Sequence, residues 1–238
     1  MARLIVALIR HGDYGQLPDT PSAHQPFGLT EKGFKQAQEA AVEIEKLLQQ
    51  ERWQLHHEIA CSHLLRAWQT AQKLSQKLSE SLAHGFTQPP QLSETPALAE
   101  RGLGIAGNLT TKQIEAVIAQ DPRYPTPPKD WKSNSHYQLP LPGAESLLQA
   151  GQRVASYIQD RTETLAQQVQ VDTLQLFVGH GAAFRHCAHH LGVLPFEEIA
   201  KLSMYHAQPV YLEYEAGGHW SHIAGKWKLR PSHSDYND

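Results

Sequence analysis

Two apolar runs in this chain each stop at a histidine followed by glycine. Leu4 to Ile9 leads into Arg10-His11-Gly12, and Thr173 to Val178 leads into Gly179-His180-Gly181. An uninterrupted apolar run of this length reads as a strand covered on both faces, the habit of parallel sheets flanked by helices. In such sheets ligands bind at the carboxyl ends of the strands, so the two imidazoles are expected to meet in one crevice. Arg10 beside the first histidine makes the expected ligand an anion, and a phosphoryl group is the natural one.

The rest of the chain alternates between strand-like and helical patterns, which predicts a three-layer α/β/α sandwich with a mainly parallel central sheet. Thr30 is placed to cap a helix with Phe34, Ala37, Ala41, Ile44 and Leu48 on one face. Glu58 to Cys61 is a short strand, followed by a helix through Leu65, Trp68, Ala71, Leu74 and Leu78. Thr110 or Thr111 caps a helix carrying Ile114, Val117 and Ile118. A long helix is expected from about Ala144 to Val169, with Leu148, Val154, Ile158 and Leu165 inward. Gly181 to Leu191 forms the helix after the second strand. Pro209 to Glu215 and His219 to Ala224 form a hairpin turning at Gly217-Gly218, and the polar tail from Pro231 is expected to fray.

One stretch breaks the alternation. Residues 121–142 hold six prolines among Arg123, Tyr124, Lys129, Trp131, Lys132 and Tyr137. So long a proline-rich loop reads as functional, here a lid over the crevice. Its aromatics favour an apolar or aromatic leaving group that stacks on them. The whole of residues 1–238 is expected to be one domain with this lid inserted.

A net charge of −3 gives no general footprint for nucleic acid or an anionic membrane, so an anion site must be local. The start, Met1 to Ile9, reads as a buried strand rather than a leader, and no stretch approaches the roughly 20 apolar residues of a membrane span. Two cysteines, Cys61 and Cys187, make no disulfide framework and suit a reducing compartment. A cytoplasmic location follows as the expectation. The oligomeric state is not legible.

Further motifs fall in order between the two histidines. Ser62-His63-Leu64-Leu65-Arg66, followed by Gln69-Thr70-Ala71, sets an arginine one helical turn after a strand end. Leu98-Ala99-Glu100-Arg101-Gly102-Leu103-Gly104 puts a carboxylate and a base on a glycine-flanked loop, and Pro142-Gly143-Ala144-Glu145-Ser146 opens a helix. With these the chain resembles the histidine phosphatase superfamily, in its phosphoglycerate mutase-like branch, from Leu8 to about Arg185. The acid phosphatase branch is disfavoured by Asp13-Tyr14-Gly15 and by Gly181 after His180.

The resemblance implies catalysis through a phosphohistidine with neither metal nor cofactor. His11 would be the nucleophile. Arg10 and Arg66 would grip phosphoryl oxygens, and a protonated His180 would add a donor. The helix starting at Gly181 would aim free N–H groups at the same anion. Glu100 would protonate the leaving alkoxide and then activate water, which calls for burial against Leu98 or Leu103. Gln16 and Arg101 are candidate substrate contacts, while Arg101 and Arg185 read equally as salt-bridge residues. Glu145 is read as complementing a helix N-terminus, and Ser62 and Ser146 as capping or packing groups. His186, His189 and His190 read as incidental surface histidines, not a metal site.

The expected activity is hydrolysis of phosphomonoesters on a small phosphorylated substrate, with a phosphoprotein as a further option. Mutases of this kind use an adjacent arginine pair in the lid, where this chain has Pro127-Pro128-Lys129-Asp130-Trp131-Lys132, and the family's Glu-Arg-x-Tyr-Gly becomes Glu100-Arg101-Gly102-Leu103-Gly104. A mutase-type phosphotransferase is the alternative, and a non-catalytic phospho-ligand module the third reading.

Overall fold

A computed structural model describes residues 2–81, 89–215 and 217–230; the expectation for the tail from Pro231 lies outside them. The strands are β1 (Leu4–Arg10), β2 (Gln54–Ser62), β3 (Gln91–Thr95), β4 (Thr173–Gly179), β5 (Leu202–Ser203), β6 (Pro209–Glu215), β7 (His219–Ala224) and β8 (Lys228–Leu229). The helices are α1 (Glu31–Glu51), α2 (Leu65–Ser81), α3 (Thr111–Gln120), α4 (Leu147–Ala166), α5 (Gly181–His190) and α6 (Phe196–Ile199).

Six strands form one sheet in the order β3-β2-β4-β1-β6-β7, and β5 pairs with β8 apart from it. β3, β2, β4 and β1 run parallel, while the β6–β7 hairpin closes one edge in antiparallel fashion. Gly217 and Gly218 both adopt positive φ in that hairpin, the backbone a tight turn demands.

Strand alternation builds the three layers. Ile5, Ala7 and Ile9 point to one face, where they pack with Ala41, Ile44 and Leu48 of α1 and Ala71, Leu74 and Leu78 of α2. Val6 and Leu8 point to the other, against Val154 and Ile158 of α4 and Phe184 and Cys187 of α5. Every residue of β1 and β4 is buried, as strands covered on both faces require, and β4 buries Gln175 among its apolar residues with its amide donating to the Glu58 and Leu176 carbonyls.

Several boundaries differ from the sequence reading. β2 begins at Gln54, because its first half pairs with β4 across an irregularity between Leu55 and Ile59. α4 starts at Leu147 and ends at Ala166; its cap is Ser146, whose hydroxyl accepts from Gln149 N–H while the Gln149 side chain returns to the Ser146 N–H. Thr110 and Gln113 form the same reciprocal cap on α3, and each cap is worth about 1 kcal/mol. Leu147 replaces Leu148 as the buried residue, and Val117 is exposed beside buried Ile114 and Ile118.

Residues 121–142 contain no helix or strand, yet they are not a bare loop. Trp131, 1% exposed, packs with Ala23, Leu103, Ile114, Ile118 and Leu139 in a separate small core, which Tyr124 and Tyr137 flank. Trp131 Nε1–H donates to Glu115 at 2.9 Å. This corrects the stacking expectation: the aromatics hold the cap together and are not spread for a leaving group. The cap is tied to α5 by His186, and the next two histidines of α5 fix α4 and the loop after α5. His186 donates from Nδ1 to the Ala182 carbonyl (2.8 Å) and accepts at Nε2 from the Ser135 hydroxyl (2.9 Å). His190 reaches the Leu148 carbonyl, and His189 the Leu194 carbonyl. His186 is therefore structural and buried, not an incidental surface group.

α4 and α5 approach closely at Gly151, where a Cβ would lie 2.7 Å from the His186 backbone carbonyl carbon and closer still to its Cβ. Gly151→Ala is expected to cost about 1–3 kcal/mol by overpacking, lowering the melting temperature by several degrees in a thermal melt. An unchanged melting temperature would contradict this packing account.

Candidate active site

His11 leaves β1 with its backbone N–H donating to the Gly179 carbonyl at 2.9 Å, and the register sets Arg10 opposite Gly179. The two strand-end histidines thus stand side by side, ring centres 5.1 Å apart and fully buried. Gly12 lets the chain turn against α1: a Cβ there would lie 2.6 Å from the Gly33 carbonyl oxygen.

His11 Nδ1 lies 2.7 Å from the Gly12 carbonyl, an acceptor only, so Nδ1 carries the proton and Nε2 presents a lone pair. Arg66 Nε–H donates to that Nε2 at 3.2 Å. The Arg66 guanidinium is wholly buried, which costs several kcal/mol if uncompensated. It is compensated by the Gln25 carbonyl (2.9 Å), the Ala23 carbonyl (2.7 Å) and the Tyr14 ring, 4.5 Å below it. The loop after His11 is thereby drawn over the site. Arg10 donates from Nη1 to the Met204 carbonyl at 3.0 Å.

Burial, then the charges of Arg66 and Arg10, holds the His11 imidazole well below its usual titration range. Burial, then Arg66 and His11, does the same for His180. His180 is consequently neutral in the free protein, a correction to the protonated form expected from sequence, because burial among guanidinium groups penalises a further cation. The Ser62 hydroxyl accepts from Leu64 N–H and lies 2.9 Å from His180 Nε2. The other ring nitrogen, Nδ1, is buried without a hydrogen-bond partner among the described residues. Ser62 therefore orients the His180 ring, beyond the capping read from sequence.

Glu100 is 4% exposed, as its expected role requires. Its oxygens accept from the N–H groups of Arg101 (2.9 Å), Ala183 (3.1 Å) and Ala182 (3.4 Å). The first N–H groups of α5 are accordingly engaged by Glu100, where the sequence reading had them free. Arg101 is buried beside Glu100, and burial lowers its pKa. Arg185 donates to the Ile199 carbonyl at 3.0 Å and to Leu202, binding the end of α6 to α5. Gln16 spends its amide on the Thr20 carbonyl within its own loop.

Glu145 does not serve a helix N-terminus. It accepts from Gly102 N–H at 3.0 Å and forms a two-pronged pair with Arg153 at 2.9 and 2.8 Å. Arg153 also donates to the Ala97 and Ala99 carbonyls, and His24 Nε2–H donates to that of Glu100. Glu145, Arg153 and His24 so fix the loop carrying Glu100. Sequence spacing gave no sign of Arg153, which lies 53 residues from Glu100. His206 was missed as well: its ring lies 5.7 Å from that of His11, in the turn before β6.

Three buried imidazoles, His11, His180 and His186, are kept neutral on folding, the last pushed down to about 3 chiefly by burial. Their unfolded forms titrate near the ordinary value of 6.5, so the unfolded chain binds more protons below it. This share of stability is complete above about pH 6.5 and is lost as pH falls toward the folded values. Thermal melts from about pH 8 to 5 should level off above neutrality and decline below pH 6.5, less steeply in His186→Gln. A flat profile, or one rising toward acid, would contradict the neutral assignments.

Among the described residues, no helix is long and apolar enough to cross a membrane. The family model of the histidine phosphatase superfamily, branch 1, matches residues 6–224. A 2,3-bisphosphoglycerate-dependent phosphoglycerate mutase of Lactobacillus johnsonii is 23% identical over 227 residues, spanning 92% of this chain and 95% of that one. A mycobacterial glucosyl-3-phosphoglycerate phosphatase superposes with a TM-score of 0.65 at 21% identity, covering 96% and 98% of the two chains. An Escherichia coli protein described as a putative alpha-ribazole-5′-P phosphatase gives 0.64 at 21%, covering 94% and 96%. The fold is that of these structures, and the chain belongs to branch 1 of the histidine phosphatase superfamily.

Proposed function

We propose that this protein hydrolyses phosphomonoesters through a phosphohistidine on His11, without a metal. The observation that carries the reading is the presentation of His11 Nε2: Gly12 holds the proton on Nδ1, and Arg66 Nε–H stands 3.2 Å from the lone pair. A neutral imidazole whose lone pair is held only by a long hydrogen bond, one that the arriving phosphoryl group displaces, is a competent nucleophile toward phosphorus. A guanidinium at the same atom meets the charge that develops as the phosphoryl group arrives.

The first step forms the phosphorus–Nε2 bond and breaks the ester bond. The phosphoryl oxygens then take over donors that the free protein directs to backbone carbonyls and to His11, from Arg10 and Arg66. The buried His180 Nδ1, without a partner among the described residues, costs about 1–3 kcal/mol, and with its proton there it would donate to an anionic oxygen. In the second step water attacks phosphorus and frees His11. Glu100, fixed by its backbone donors and by the Arg153–Glu145 pair, serves proton transfer in both steps. Arg101, buried next to it, is proposed to meet a further polar group of a small phosphorylated substrate.

Phosphoryl transfer between positions of one substrate is the second reading, favoured by the mutase relative. Against it stands the cap sequence, where Lys129 and Lys132 replace an arginine pair. The expected result is phosphate release from p-nitrophenyl phosphate in EDTA, abolished by His11→Ala and reduced about 10²–10³-fold in kcat/KM by Arg66→Gln. Release lost to EDTA would refute the metal-free mechanism. Interconversion of phosphoglycerates with no phosphate release would favour the mutase.

A further inference from the structure

We propose that His206 is a second proton carrier of the reaction, working beside Glu100 on the side of His11 from which the leaving group departs. The proposal rests on the phosphatase reading above. The partners seen around His11 are unequal in one respect. The Tyr14 ring, edge-on at 5.1 Å, the His180 ring at 5.1 Å and the Arg66 guanidinium are all buried. His206, with its ring at 5.7 Å and tilted by 36°, is only half-buried. A leaving alcohol must depart toward solvent and water must enter from it, so the open side of His11 is the side His206 lines.

His206 is held there by the residue expected to grip phosphate. Arg10 Nη1 donates to the Met204 carbonyl at 3.0 Å, and Ala207 N–H donates to the Arg10 carbonyl at 2.8 Å. The turn is thus pinned to Arg10 on both sides of the imidazole. Ala207 adopts φ +56°, a left-handed conformation that costs a residue with a Cβ about 1 kcal/mol and persists where the surroundings dictate it. Backbone pinned at such a cost holds the ring in one place.

Glu100 is less directly supplied with protons. It is nearly inaccessible, and both its oxygens accept from backbone N–H groups. An imidazole at the mouth collects a proton from water and passes it inward. On this route His206 stands in for Glu100: in the first half-reaction the ester oxygen–phosphorus bond breaks as the phosphorus–Nε2 bond forms, and the departing oxygen takes its one proton from the His206 imidazolium. In the second, water oxygen bonds to phosphorus, the phosphorus–Nε2 bond breaks and the water proton returns to His206. The cycle leaves His206 as it began and consumes one water.

The test compares an alkyl phosphate such as glycerol phosphate, whose leaving oxygen needs a proton, with p-nitrophenyl phosphate, whose phenolate leaves without one. His206→Gln keeps the approximate shape and a hydrogen-bonding amide but cannot carry a proton. The expected loss in kcat/KM, which reports only the half-reaction in which the leaving group departs, is about 10²-fold or more on the alkyl ester, and about tenfold or more smaller on the aryl ester. Equal losses on both would overturn the proposal in favour of a positioning role, and so would no loss on either. A circular-dichroism melt checks folding; if His206→Gln melts early, His206→Asn must show the same leaving-group dependence. A wild-type protein that hydrolyses neither ester overturns the phosphatase reading and this proposal with it. That outcome is distinct from an active wild type whose variant loses both esters alike.

Discussion

One backbone hydrogen bond sets the scale of everything at the mouth of the sheet. The His11 N–H reaches the Gly179 carbonyl, extending the β1–β4 ladder one residue past Arg10. Because β1 and β4 are neighbours, the residues leaving them must emerge at one level, and each emerging residue is a histidine. A register shift of one residue would turn every side chain of β1 to the opposite face and would set Ile5, Ala7 and Ile9 against α4 and α5. Such a shift would forfeit the core, so the position of His11 is enforced by the burial of two whole strands. His11 costs the fold nothing extra to place.

Electrostatics then does what hydrogen bonding alone cannot. Burial of the two imidazoles, and then the charges of Arg66 and Arg10 beside them, is unfavourable for a further buried positive charge and leaves His11 and His180 neutral. The unfavourable field is also what makes the site receptive to an anion. Carbonyl groups of the Ala23–Gln25 loop offset part of the Arg66 desolvation and are themselves immobilised by it. The loop, the guanidinium and the His11 ring are thereby one unit. The Arg153–Glu145 pair repeats this logic on the opposite wall, where it fastens the Glu100 loop to α4.

Much of this was legible in the sequence, for identifiable reasons. The unbroken apolar run of Leu4 to Ile9 and the largely apolar Thr173 to Val178 marked β1 and β4 because strands buried on two faces need no alternation. Capping residues at Thr30 and Thr110 marked helix starts because their chemistry is local, whereas the cap at Ser146 was passed over for a start near Ala144. The residues lost to sequence reading depend on contacts between distant segments. His206 becomes a neighbour of His11 through the turn pinned on Arg10, and Arg153 reaches the Glu100 loop from the middle of a helix. His186 looked like one histidine of a surface cluster because a helical pattern does not reveal which faces the cap will cover. The aromatics of residues 121–142 misled for a related reason: they build a core of their own, and composition cannot separate a core from an exposed stacking platform.

The central claim is that Gly12 fixes the tautomer of His11 so that Nε2 takes the phosphoryl group. It is tested most directly by quenching the protein with an aryl phosphate in turnover and locating the bound phosphate by phosphorus NMR and peptide mapping. The account predicts an acid-labile, alkali-stable phosphate on Nε2 of His11. Phosphate on Nδ1, on another residue, or on no residue during active turnover would contradict it.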